Sequence, residues 1–351
     1  MAQTSPVLTQ ETCEHTKITS VTFSNIIPMD SVLAVDEEIP TIDFFMLFSD
    51  DPIQQSKALD HLSHACDEYG FFYVRTLETL FSRSILVNHG VPDTVIEGAL
   101  EGIAEFFEVT KVEEKKEYRK SNPADRIMWG LNCHAGENRE YLKVVAHPQL
   151  HCPAKPASIS EVLEEYFERF QDVKTGLARA ISKILGFEEG YIEKVFDLTS
   201  GFDVAAMNVY PPNFQSKGSI GVPSHTDPGF FVSLIQDVDG GLRVLSHKGK
   251  WINVYIPRNA FLIQIGDHLE ILTNGKYKSH VHQVVVDNNK VRRISLATLH
   301  GPSLDTLVIP ASEFVDQFHP PGYRGTTYKE SLEANGHYEI EVQSCLEQLR
   351  L

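Results

Sequence analysis

The chain predicts an α+β fold: supporting helices first, then a sandwich or jelly-roll core of short strands. Two observations lead there. Helical spacing is confined to the first 200 or so residues, and from about residue 203 the pattern changes to short apolar or alternating runs divided by turn residues. Many short strands at regular spacing imply a sandwich or jelly roll, and helices followed by strands exclude a doubly wound sheet.

Residues 1–37 are polar and without sustained period, which predicts a flexible arm. Residues 38–200 form a helical and mixed region. Its first helix is expected over 54–69, QQSKALDHLSHACDEY, where Ala58, Leu59, Leu62, Ala65 and Cys66 share one face. Helical spacing recurs over 94–119 and, most strongly, over 158–187, where the acidic stretch EVLEEYFERF makes a solvated face. Residues 201–305 carry the core strands: DVAAMNVY, FFVSLIQDV, LRVLSHKGKWINVYI, AFLIQIGD, HVHQVVVDN and RRISLATLHG. Turns at Asp239-Gly240-Gly241, Lys248-Gly249-Lys250 and Asn274-Gly275 separate them. Residues 306–351 make a closing segment.

Composition narrows the function. With 42% hydrophobic residues over 351 positions the chain can bury a large core. Its 48 acidic against 31 basic residues give a net charge of -17, a surface that repels phosphate backbones and anionic lipid. Nucleic acid and membrane are therefore not expected as partners. Five widely spaced cysteines, with no C-x-x-C pair, fit a reduced intracellular protein. Neither a secretory signal nor a run of ~20 apolar residues is visible, and the final LRL is not a peroxisomal address, so a cytoplasmic monomer is expected.

Three polar pairs lie among the predicted strands. His225 and Asp227 open one run, and on a strand residues i and i+2 share a face. His280 and His282 repeat the spacing in KSHVHQVVV, and pleat periodicity alone does not choose between them. Arg293 and Ser295 form the third pair. Alone, an H-x-D is more often a surface or capping pair; its company makes it a site. Two imidazoles and a carboxylate on one side of an iron leave the other side open, as in non-haem Fe(II) oxygenases. An Arg fork beside a hydroxyl suits the far carboxylate of a dicarboxylic keto acid. His247, His268 and His300 read as hydrogen-bonded structural histidines.

Residues 203–302 resemble the plant branch of the Fe(II)/2-oxoglutarate-dependent dioxygenases, whose fold is that of isopenicillin N synthase. The matching words are MNVYPP, HTDPGFFVSLIQD, GLRVL, KGKWINV, IGDHLEILTNGKYKS and RRISLATLHGP. Upstream, IPTIDF, ACDEYGFF, VNHGVP and EYLKVVAHP extend the likeness over about 39–340. The family's S-x-x-H falls on Ser279 to His282 and so selects His282. The resemblance implies a double-stranded β-helix (jelly-roll) core with N-terminal supporting helices and a C-terminal helical segment, Fe(II) held by His225, Asp227 and His282, and 2-oxoglutarate held by Arg293 and Ser295 with Asn208 and Tyr210 nearby. It further implies ascorbate as reductant, and O2 and a small molecule as the remaining reactants. Asn132, His134, Tyr141, Phe230 and Leu299 match family substrate contacts. Their mixture suits a mid-sized phenolic or flavonoid, terpenoid or hormone, with Lys143 leaving room for an acidic one. Family chemistry allows hydroxylation, desaturation or O-demethylation. The competing expectations are an oxidase of the same fold that uses no 2-oxoglutarate, which Arg293 and Ser295 disfavour, and a non-catalytic metabolite-binding protein.

One word is broken. GFFYV at 70–74 reaches VNHG at 87–90 only after RTLETLFSRSIL, residues 75–86, which are either a looped insertion or an exon-boundary error. Gln283 stands where the family usually has Arg, and YPPN replaces Y-P-x-C; neither removes an expected ligand.

Overall fold

The computed structural model describes residues 37–75, 90–121, 125–132, 139–212, 220–257, 260–286, 291–334 and 345–351. The interruption at 75–86 lies outside them from residue 76 on. Ahead of the core come β1 (Thr41–Asp43), α1 (Pro52–His64), β2 (Phe71–Arg75), α2 (Asp93–Val109), α3 (Val112–Lys115), β3 (Ile127–Asn132), β4 (Arg139–His147), α4 (Ala157–Ile184) and α5 (Tyr191–Val195). The core strands are β5 (Phe202–Tyr210), β6 (Ile220–His225), β7 (Phe231–Gln236), β8 (Leu242–Leu245), β9 (Trp251–Asn253) and β10 (Ala260–Ile265). After α6 (Asp267–Leu272) follow β11 (His282–Val285) and β12 (Arg293–Gly301). The closing segment holds β13 (Leu307–Val308), β14 (Thr326–Thr327), α7 (Tyr328–Ala334) and α8 (Cys345–Leu349).

Eight strands form a major sheet in the order β1-β2-β10-β7-β12-β5-β4-β3, and four form a minor sheet, β6-β11-β8-β9. This is the jelly roll. Strand β5, FDVAAMNVY, is buried along its whole length because both faces of the major sheet are covered. On one face lies α4, whose Ile159, Leu163, Tyr166, Phe170, Val173 and Leu177 recur at helical spacing. Phe170 meets Phe261 of β10 edge-on, 5.0 Å between ring centres. Leu142, Val144, Met207, Val209, Ile294 and Leu296 supply the sheet's side of that core. On the other face Tyr73, Tyr210 and Leu262 pack against Val222, Leu242, Val244 and Val284 of the minor sheet. A third, smaller cluster seats Tyr328 and Leu332 of α7 on Val145, Phe202 and Val204.

The helix face also buries charge. Lys174 Nζ lies 2.9 Å from Asp203 Oδ2, which is 3.0 Å from His300 Nδ1; His300 Nε2 in turn meets the Ser233 hydroxyl at 3.0 Å. Phe170 stacks on the His300 ring at 5.0 Å. Burial would raise the Asp203 carboxyl, but the His300 imidazole and the Lys174 ammonium outweigh it and hold it well below the usual carboxylate range, while burial pushes His300 itself down. Every charge in this cluster has a partner, as an apolar interior requires.

Three expectations need correction. The helical spacing of 94–119 breaks after Val109, and only the one-turn α3 and a short 3-10 turn over Lys116–Tyr118 follow. In KSHVHQVVV the strand starts at His282, so His280 is not its strand-mate. Strand β6 ends at His225, and Asp227 stands beyond it in the connection to β7. Pro228 and Gly229, the latter at φ 111°, follow at once and do not continue a ladder.

Candidate metal and co-substrate site

His225 and His282 are register partners at the β6–β11 junction, so their imidazoles project side by side, 4.1 Å between centres. The carboxylate of Asp227 reaches back to both. Its Oδ1 is 3.3 Å from His225 Nε2 and its Oδ2 is 3.3 Å from His282 Nε2. The three candidate ligand atoms lie within 4.8 Å of one another, and all three residues are buried.

Main-chain bonds place the carboxylate. The Asp267 amide donates to the Asp227 carbonyl (2.9 Å), the Gly266 amide to the Phe230 carbonyl (3.0 Å) and the His268 amide to the Gly229 carbonyl (3.0 Å). A Cβ at residue 266 would collide with the Gly229 carbonyl, so this crossing of two backbones needs glycine there. A main-chain carbonyl and a glutamine fix the imidazoles. His225 Nδ1 donates to the Pro223 carbonyl at 2.7 Å, which leaves its Nε2 lone pair directed at Asp227. Gln264 Nε2 donates to the His280 carbonyl (2.9 Å) and lies 2.8 Å from His282 Nδ1. His280 itself turns away, its Nδ1 on the Leu245 carbonyl and its ring edge-on to Phe71.

The charges agree with a cation site. Burial and then the neighbouring His282 push His225 down, so it is neutral near pH 7. Burial would raise Asp227, but His282 and then His225 outweigh it and keep the carboxylate anionic; against its own burial, His282 is raised in turn by Asp227, which holds positive charge where a cation would sit. Burial pushes Asp267 up to about 8, making it a neutral acid beside the triad at pH 7. Two nitrogen donors and one carboxylate, with their remaining directions open, fit Fe(II).

The inner face of the major sheet brings the other predicted residues together. Arg293 pairs with Tyr210, and Ser295 pairs with Asn208, across β12 and β5. The Arg293 guanidinium lies 4.9 Å over the Tyr210 ring and donates to Gln236 Oε1 at 2.7 Å. Its Nε and Nη1 are buried with no hydrogen-bond partner among the described residues. Such orphans are costly unless a ligand meets them, and a carboxylate fits the guanidinium edge. Asn208 Oδ1 accepts from Arg139 Nη1 at 2.9 Å.

The substrate candidates divide. Tyr141 and Leu299 lie on this inner face, Tyr141 paired with Asn208 and Leu299 with Val204. The Tyr141 ring lies across β3, where a Cβ at Gly130 would collide with its hydroxyl. Phe230 is fully buried against Phe196, at 5.5 Å, in the helix-side core. The Asn132 side chain and His134 lie outside the described residues. Sequence reasoning missed Arg139, Gln236 and Gln264. The signal for Arg139 was present: in REYLK, residues 139, 141 and 143 share a strand face with Tyr141.

Known proteins match this arrangement. The 2OG-Fe(II) oxygenase superfamily matches residues 201–302, and the N-terminal region of the non-haem dioxygenase in morphine synthesis matches residues 39–157. The chain is 31% identical to 2-oxoglutarate-dependent dioxygenase 19 of Oryza sativa subsp. japonica, over 92% of this chain and 93% of that one. It is 29% identical to thebaine 6-O-demethylase of Papaver somniferum, covering 93% and 89%. The crystal structure of JOX2 in complex with 2OG, Fe and JA superposes with a TM-score of 0.76 at 28% identity, covering 96% of this chain and 95% of that one. The chain belongs to the 2OG-Fe(II) oxygenases, and among them to the plant 2-oxoglutarate-dependent dioxygenases. It is thus an enzyme that acts on a small molecule with 2-oxoglutarate. No helix among the described residues is long and apolar enough to cross a membrane.

Proposed function

We propose that His225, Asp227 and His282 hold the Fe(II), that Arg293 and Ser295 bind the far carboxylate of 2-oxoglutarate, and that Asn208 and Tyr210 line the space between. The convergence of the triad's ligand atoms within 4.8 Å carries the reading. With Fe(II) and 2-oxoglutarate bound, the chemistry supplied would be oxidative decarboxylation of the keto acid by O2, which puts one oxygen atom into succinate, releases CO2 and leaves the other oxygen atom to oxidise the substrate. Asp227 contributes the one anionic ligand, and the two neutral imidazoles contribute lone pairs. Arg293 orients the keto acid through the guanidinium edge that Gln236 leaves free, and stacking on Tyr210 keeps that edge in plane. Arg139 turns the Asn208 carboxamide by taking its oxygen. Tyr141 and Leu299, with Asn132 and His134, are proposed to border the organic substrate, a plant phenolic or flavonoid, terpenoid or hormone. Ascorbate is the proposed reductant, the cytoplasm the proposed compartment and a monomer the proposed state.

The test measures binding and turnover together. The purified enzyme should bind 2-oxoglutarate, lose that binding in Arg293→Ala, and release succinate slowly without substrate when Fe(II) and ascorbate are present. Binding that survives Arg293→Ala would favour a same-fold oxidase that does not use 2-oxoglutarate. Neither iron occupancy nor succinate would leave only a metabolite binder.

A further inference from the structure

Helix α6 touches both chain segments that carry the triad. Its first turn holds the Asp227 side: besides the Asp267 amide on the Asp227 carbonyl, Asp267 Oδ2 accepts from the Thr226 hydroxyl at 3.2 Å. One turn on, Glu270 holds the other side. Its Oε2 accepts the Ser279 amide at 2.6 Å, and from Ser279 the chain runs through His280 and Val281 to His282. The Glu270 carbonyl accepts the Gly275 amide at 2.8 Å, so the turn between α6 and Ser279 closes on the same residue.

The second carboxylate oxygen of Glu270 faces the closing segment. Oε1 accepts from the Tyr323 hydroxyl and lies 3.3 Å from Lys278 Nζ and 3.4 Å from Arg350 Nη2. Arg350 also covers the Tyr323 ring, 5.8 Å from its centre. Main-chain bonds tie these two stretches together: the Arg324 amide donates to the Leu349 carbonyl at 2.8 Å, and the Leu351 amide to the Gly322 carbonyl at 3.0 Å. A Cβ at Gly275 would press on Lys278 Nζ (2.8 Å) and the Tyr323 hydroxyl (3.1 Å), so the bare glycine admits both to the carboxylate.

Glu270 is wholly buried, whereas the Lys278 and Arg350 side chains are 41% and 44% exposed. Partners so exposed give a fold little, and a buried carboxylate is costly to keep; an apolar contact would staple α6 to the closing segment as well or better. What the carboxylate adds is two acceptors on one planar group. One fixes the turn that delivers His282, and the other is held by Tyr323 and Arg350.

We propose that Glu270 is a positioning residue for His282, and that through it metal binding and docking of the closing segment strengthen each other. The proposal rests on the triad reading above and adds to it a link to residues 323 and 350. When Tyr323 and Arg350 hold Oε1, the carboxylate plane is set, Oε2 fixes the Ser279 amide, and the His282 imidazole stands beside His225. By linkage, a metal that favours this placement of His282 also favours the docked closing segment.

The full-length enzyme is titrated with Mn(II), standing in for iron, and free Mn(II) is read by electron paramagnetic resonance. Glu270→Met should weaken Mn(II) about 10- to 100-fold, as loss of such supporting bonds does, and Glu270→Gln, which still accepts the Ser279 amide, should recover most of that loss. Tyr323→Phe with Arg350→Met leaves Glu270 in place with Lys278 beside it, and should weaken Mn(II) about fivefold or more. In the other direction, saturating Mn(II) should slow hydrogen exchange at the Arg324 and Leu351 amides of the wild type by a similar factor. A residue that only staples the fold would change the melting temperature and leave Mn(II) affinity alone. A folded Glu270→Met enzyme that binds Mn(II) like the wild type, or a double variant within about twofold of it, overturns the link and leaves the triad in place. Wild-type enzyme that takes up no Mn(II) overturns the triad reading and the link together.

Discussion

The two faces of the major sheet both bury charge, and they treat it in opposite ways. On the helix face Lys174, Asp203, His300 and Ser233 satisfy one another within 3.0 Å or less of each contact. On the inner face Arg293 keeps two nitrogen atoms without a partner, and Gln236 Nε2 is likewise unmet among the described residues. A closed cluster stabilises the fold and offers nothing to a ligand. An open one costs the fold something and recovers it when a ligand arrives. Reading which buried charges are satisfied therefore separates scaffold from site without reference to any relative.

Substitutions on each face should break this contrast in different currencies. The largest effect is expected for Asp227→Ala, which should lower succinate formation at least about a thousandfold, on the order of 4 kcal/mol, while a denaturant midpoint changes little. A loss under tenfold, measured at saturating iron, would remove the carboxylate from the metal site. Next comes Lys174→Met, which strands Asp203 in the interior and should cost about 3–5 kcal/mol of stability in urea. Adding Asp203→Asn should return part of it, and no return would mean the pair is not coupled. Arg293→Met is the same kind of change on the other face. It should raise the KM for 2-oxoglutarate about 30- to 100-fold, or about 2–3 kcal/mol, with stability held or slightly improved. Equal destabilisation by the lysine and arginine changes would erase the distinction between the faces.

The smallest effect is acid sensitivity at the crossing that holds Asp227. His268 is fully buried and accepts the Gly229 amide on Nδ1 at 3.0 Å; burial depresses it to about 4. The unfolded chain takes up that proton near its ordinary value of about 6.5, whereas the folded chain waits until about 4. Stability is thus whole above pH 6.5 and declines as the pH falls toward 4, by about 2 kcal/mol between pH 6.5 and 5. Urea melts at the two pH values, compared with those of His268→Gln, would show it. An identical slope in the variant would assign the decline to other groups.

Much of this is legible in the sequence where partners are close in the chain or where a strand's period is plain. The runs at 203–210, 231–236 and 293–301 read as strands because their apolar residues alternate or continue unbroken. His225 and Asp227 stand out by their spacing, although the chain has left the strand before Asp227, a detail set by Pro228 and Gly229. What stays hidden depends on register between distant strands. Lys174 and Asp203 are 29 residues apart and Asp203 and His300 are 97 apart, and no local pattern joins them. Phe230 shows the limit of carrying a role over by position: it stands just ahead of β7 and packs, with its neighbour Phe231, into the helix-side core.

The glycine crossing at residues 229 and 266 has a practical meaning for redesign. Because peptide groups hold the aspartate where it is, side chains along β3 and β4 other than Arg139, which bonds Asn208, can be exchanged without moving it. An engineer seeking new substrates should vary Tyr141 and its neighbours on that wall and keep 226–230 and 266–268 as they are, since a single added methyl group at 266 would push the Gly229 carbonyl, and Asp227 with it, before it altered any preference.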